Sequence, residues 1–347
     1  MRRLFLLPAL LAAPMLPAEP IRQQPPAVTT ERARSAPVFT FYLENDFFGG
    51  QDRHYTNGLK FSWLSSDLSA WNRDGWRRRL VDRLPLIESA DAQQNFGFAL
   101  GQNIYTPQDI SRNPPDPADR PYAGWTYLEL SFVSKTPGVM DMFTVQAGMI
   151  GPGSQADETQ RAVHSWLSDE EPAGWAHQLR NEFGMNLVFE RKWRLYARSF
   201  QGFVGADFVP HAGVSLGNVQ THANAGFTLR LGFNLPSDFG VRLIGGTNAN
   251  TPLDDRDPRV APDRAWSFFA FGGVDGRAVA RDIFLDGNSF RDSPRVKREP
   301  LVGDAYYGLG LVFGPWELTY TEVMRSREFK GQVRNNYFGS VALSRAF

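Results

Sequence analysis

Apolar and polar residues alternate along most of this chain. In Phe227 to Asn234, FTLRLGFN, the residues Phe227, Leu229, Leu231 and Phe233 share one face, and Thr228, Arg230, Gly232 and Asn234 share the other. A period of two is the pattern of a strand with one face in apolar surroundings. FTFYLEN, LKFSW, NFGFALGQN, TYLELSF, MFTVQAGM, YYGLGLVFG, ELTYTEV and FGSVALSRAF repeat it. The pattern predicts strands at 38–46, 56–66, 95–104, 124–134, 141–150, 184–199, 204–217, 221–234, 265–279, 303–313, 316–326 and 336–347. Residues 240–246 offer a thirteenth, which the even strand number of bacterial single-chain barrels argues against.

Two other segments set the class. MRRLFLLPALLAAPMLPAEP has a basic start, an apolar stretch and small residues near Ala18. That layout predicts a secretory signal peptide over 1–18, followed by a polar, Pro-rich lead-in over 19–37. Beyond it no apolar run reaches the roughly 18 residues of a spanning helix. The chain ends on YFGSVALSRAF, an amphipathic strand with Tyr337, Val341, Leu343 and Phe347 on one face. An exported chain of such strands reads as an all-β protein: a transmembrane antiparallel β-barrel of about 12 strands over 38–347, in the outer membrane of a Gram-negative cell. Aromatics at strand ends (Tyr42, Trp63, Trp125, Trp266, Trp316, Tyr337) fit the girdles at the two membrane interfaces. With an even strand count both termini lie in the periplasm. The linkers 67–94 and 235–264 are then long periplasmic connections, the feature that fits this topology least.

Composition excludes several chemistries. The 37 basic and 37 acidic residues give net charge +0, without the basic footprint of a nucleic-acid binder. With no cysteine there is no disulfide, thiolate metal site or cysteine nucleophile. A monomer in outer-membrane lipid is expected.

The polar segments fall on the side opposite the termini. They are ENDFFGGQDRHYTNGL with Asn45, Asp46 and Thr56, then DRPYAGW, the insert 151–183, and ARDIFLDGNSF. Asp157 to Leu167 in the insert predicts a helix, with Trp166 and Leu167 able to anchor it to the barrel. Gln160 and His164, at i and i+4, share a helix face. A rim histidine suits general-base work near neutral pH. Asp46 with backbone carbonyls suits a hard cation such as Ca²⁺. GVSLG, 213–217, matches G-x-S-x-G but sits inside a predicted strand without the strand–turn–helix elbow that motif needs, so Ser215 is read as structural. The other histidines, His54, His177, His211 and His222, show no metal spacing.

ENDFF with DRHYTNGL, DRPYAGW, GPGS with TQRAVH, GWAHQLRNE, PHAGVSLGN and ARDIFLDGNSF, in that order from about Phe39 to the C-terminus, resemble the lipid A 3′-O-deacylase family of Gram-negative outer membranes. The resemblance implies a twelve-stranded barrel that removes the 3′-linked acyloxyacyl group of lipid A (the lipopolysaccharide anchor) with Ca²⁺, at a site facing the outer leaflet. It implies Asn45, Asp46, Thr56, Gln160 and His164 as the catalytic set, with His164 the base that activates water and Asp46 the metal ligand. A non-catalytic barrel and an outer-membrane phospholipase with a serine nucleophile are the alternatives.

Overall fold

The computed structural model describes residues 36–46, 57–69, 83–84, 86, 92–167, 171–200, 204–240, 251–261 and 266–347. The predicted signal peptide, most of the lead-in and of linker 67–94, and Thr56 lie outside the described residues.

Thirteen strand segments form one antiparallel sheet: β1 (Val38–Asn45), β2 (Asn57–Leu64), β3 (Gln93–Tyr105), β4 (Ala123–Lys135), β5 (Val139–Ile150), β6 (Glu182–Trp193), β7 (Tyr196–Phe200), β8 (Val204–Gly217), β9 (Gln220–Phe233), β10 (Trp266–Asp282), β11 (Leu301–Phe313), β12 (Trp316–Arg325) and β13 (Asn336–Ala346). β1 pairs with β13, Val38 opposite Ala346. β6 pairs with β8 over 186–192, and β7 pairs with the same β8 over 196–200. β6 and β7 are therefore one stave with an irregularity between them, as the single predicted strand 184–199 required. The ring closes with twelve staves.

The period of two separates the two faces. On β9, Leu229, Leu231 and Phe233 are exposed while Thr228 and Arg230 are buried. Phe39, Phe61, Trp63, Phe98, Leu100, Leu128, Leu130, Leu309, Leu311, Leu318 and Leu343 continue the apolar outer band. An apolar band around a whole molecule far exceeds the bare patches of water-soluble monomers and belongs in lipid. Trp63, Trp266, Trp316 and Tyr337 lie on it, as girdle residues should. Tyr42 and Trp125 do not. Both are buried in the lumen, Tyr42 against Ala342 and Trp125 stacked on Tyr127 with ring centroids 4.2 Å apart. Their parity explains this, because Tyr42 shares its face with Thr40 and Glu44, not with Phe39 and Phe41.

A twelve-stave barrel is wider than its wall side chains fill unaided. At mid-height Lys60 Nζ donates to both oxygens of Glu129 (3.1 and 2.9 Å), which also accepts from Gln146 (2.9 Å). At the end carrying the termini, the described parts of linker 235–264 (235–240 and 251–261) turn inward. Phe239 joins Leu64, Val133, Met140, Met142 and Val209. Arg230 of β9 bonds Asp207 of β8 and Asp238 of the linker. Arg259 of the linker bonds Asp257, Asp238 and Glu317 of β12 (2.7–2.8 Å). The linker is therefore a plug whose charges are neutralised by the wall, the condition for burying them.

Candidate functional site

The opposite rim is filled too. ARDIFLDGNSF forms the short helix α2 (Ile283–Asp286), capped by Asp282, whose side chain accepts from Phe284 N–H. Ile283 and Phe284 pack with Tyr105, Trp125, Tyr127 and Phe338, and Phe284 stacks on Tyr105 at 4.1 Å. Arg120 of DRPYAGW donates to Glu328 at 2.7 Å and lies over the Tyr105 ring. Both motifs lie at this rim as expected, and these residues of theirs stopper the lumen.

The insert helix lies elsewhere. α1 (Ala156–Leu167) matches the predicted helix to within a residue, and it contacts β3 and β4. On β4 the lumen-facing residues are Ala123, Trp125, Tyr127 and Glu129, so Gly124 and Thr126 face outward with Leu128 and Leu130. A Cβ at Gly124 would stand 2.2 Å from both the Ala156 Cβ and the Ser154 Oγ. Only glycine admits that approach, and it fixes α1 against the outer wall. Outward-facing Ile104 of β3 is buried there with Ala156, Tyr122 and Trp175.

Beneath this helix the outer face turns from apolar to polar. Above Leu100 and Leu128 stand Gln102 and Thr126, directly paired across β3 and β4. Gln102 Nε2 donates to Thr126 Oγ1 (3.0 Å) and to the Ser154 carbonyl (2.8 Å), which also accepts from Thr126 (2.7 Å). Neither residue was singled out from sequence. The available signal was the outward series Phe98, Leu100, Gln102, in which an apolar face ends on an amide.

Gln160 and His164 are both buried on α1, 1% and 5% exposed. Trp175 of GWAHQLRNE donates its indole N–H to Gln160 Oε1 at 2.7 Å. Indole nitrogen only donates, so this bond fixes the amide orientation. The Gln160 NH₂ is then what meets His164 Nε2, at 3.4 Å. That contact ties the ring to an amide whose own orientation is fixed. His177, on the same insert, is exposed and bonds Asn113 Oδ1 (3.1 Å).

Asn45 ends β1 on the outer face, in series with Phe39, Phe41 and Leu43, and pairs with Asn57. Asp46 follows it and is 1% exposed, as is Glu44 at 2%. The structure thus places Asn45, Gln160 and His164 at one rim, with Asn45 and α1 on the same side of the wall. β1 stands two staves from β3, roughly 10 Å across the sheet. Among the described residues no three His, Asp or Glu side chains gather as a metal site. Asp46 itself brings a carboxylate, the kind of oxygen donor a hard cation takes. Ser215 is buried in β8 and donates to the Gln220 carbonyl (3.1 Å), with no elbow.

A closed antiparallel barrel with a lipid-compatible outer band, both ends filled and a polar cluster on the outside wall defines an integral outer-membrane protein. The model of the family described as outer membrane protein LpxR matches residues 4–347, and the chain belongs to that family. Among solved structures it is similar to LpxR from Salmonella typhimurium, at 19% identity over 89% of this chain and 100% of that one, with a TM-score of 0.68. The β domain of the Bordetella autotransporter BrkA follows at 8% identity, 90% and 99% coverage and a TM-score of 0.44. No curated protein matches the chain.

Proposed function

We propose that this barrel is an outer-membrane esterase that removes the 3′-linked acyloxyacyl group of lipid A. The observation that carries the reading is the buried Gln160–His164 pair, held against the outer wall of a barrel filled at both ends. A site there is open to a lipid that stays in its leaflet and slides in sideways. In the cell the rim carrying α1 faces outward and the termini lie in the periplasm.

His164 is the base that takes a proton from water. The water oxygen attacks the ester carbonyl carbon. The tetrahedral intermediate then expels the sugar 3′-oxygen, which recovers the proton from the imidazolium. The products are a free acyloxyacyl acid and a 3′-hydroxyl. Trp175 and Gln160 hold the imidazole in register, and Gln102 and Thr126 tie the wall to the Ser154 carbonyl that starts the helix. Asn45 provides an amide on the same face, and Thr56 completes the set as its hydroxyl. Asp46 would hold Ca²⁺, which when bound polarises the carbonyl. A serine-nucleophile phospholipase gains no support, since Ser154 spends its hydroxyl on the Gly151 carbonyl (2.6 Å) and Ser215 faces the lumen.

Purified barrel in detergent, incubated with lipid A and Ca²⁺, should release the 3′ acyloxyacyl acid. Excess chelator should stop release, and added Ca²⁺ should restore it. Full activity in chelator would remove the ion from this scheme.

A further inference from the structure

On the face of α1 next to that of Gln160 and His164, a groove runs between the helix and the returning segment 175–180. It encloses about 650 Å³ including its open mouth and is lined by Pro152, Asp157, Arg161, Trp175, Gln178 and Arg180 among others. Its charges are two guanidinium groups and one carboxylate. Arg161 makes no hydrogen bond or ion pair among the described residues. Arg180 is tethered through Nε to the Asp292 carbonyl (3.2 Å), which steadies the rest of its guanidinium. Gln178 Oε1 is buried without a hydrogen-bond partner among the described residues, and a buried acceptor left unpaired carries a cost that a ligand donor would relieve. Trp175 joins the groove to the reaction site, lining one and bonding Gln160 in the other.

We propose that this groove binds the phosphorylated sugar of the substrate. Arg161 and Arg180 take a phosphate, as paired guanidinium groups do through charge-assisted bonds, and Gln178 Oε1 accepts from a sugar hydroxyl. Such a site rests on the deacylase reading for its substrate. It adds that the enzyme grips the headgroup on the helix face next to the one that cuts the ester, with Trp175 between the two.

The test uses the full-length barrel in detergent and an acyl-free glucosamine disaccharide, with and without phosphates. The wild type should bind the phosphorylated form, and Arg161→Ala with Arg180→Ala should weaken binding about 100-fold, the scale of two lost charged hydrogen bonds. Arg161→Lys with Arg180→Lys should recover part of it. Discrimination between lipid A and its dephosphorylated form should collapse in the alanine variant. Equal binding by wild type and alanine variant, or no preference for the phosphorylated disaccharide, overturns the proposal even if lipid A is deacylated. Arginine-dependent binding by a wild type that deacylates nothing supports the groove and sinks the esterase instead. If the double alanine variant lacks heat-modifiable migration, the Lys pair and Arg161→Gln alone carry the same comparison.

Discussion

His164 and His177 share one insert but not one environment. His164 is buried against the outer wall beside an amide whose orientation an indole fixes, while His177 stands in solvent bonded to Asn113. If His164 is the base, His164→Ala should lower deacylation by on the order of 10²–10⁴-fold, the usual contribution of positioned proton transfer. His177→Ala should leave activity within a few fold. Release rates from purified, heat-modifiable variants check this, and equal rates for the two would make His164 a packing residue. Sequence spacing was enough to pair Gln160 with His164, because i and i+4 share a face in any helix. It was not enough to find Trp175, whose partner lies in a different segment. Nor did it find Gln102 and Thr126, whose importance comes from the helix laid over them.

At the scale of elements, the strands were legible because a period of two needs no knowledge of the partner strand. Tyr42 and Trp125 were assigned to the girdle from position along the strand alone, whereas parity puts them inside. The plug was illegible because Asp238 and Arg259 lie in a segment with no period, and their partners Arg230 and Glu317 are distant in sequence. The close approach of α1 to the outer wall needs a glycine at Gly124. Gly124→Val should push the start of α1 off β4, a small-to-large change of about 1–3 kcal/mol, and so displace Gln160 and His164. Deacylation should fall at least tenfold while the barrel keeps its heat-modifiable migration. Unchanged activity in a folded variant would mean that the helix need not touch the wall.

For the molecule as a whole, filling at both ends is what the proposed outer-wall site depends on. The rim stopper is held by Arg120 on Glu328. Burial opposes the charged form of Glu328, but the Arg120 and Arg325 guanidinium groups outweigh it and hold its carboxyl below the ordinary 4.5. A carboxyl lowered on folding stabilises the folded state fully above its unfolded value, and that stabilisation is lost as pH falls through the folded value. The contribution of Glu328 to the temperature of heat modification should therefore be flat above about pH 5 and drop below it, and Glu328→Gln should flatten the acid limb while lowering the plateau. An acid limb unchanged in Glu328→Gln would place the titrating group elsewhere.

The central claim is that this outer-wall site cuts lipid A in the membrane. Mass spectra of lipid A from cells carrying the wild-type barrel, His164→Ala or no barrel test it most directly. The account predicts loss of the mass of the 3′ acyloxyacyl group in the wild type alone, with lipid A left fully acylated in a folded His164→Ala barrel. Identical spectra in all three, or the same loss with His164→Ala, would contradict it.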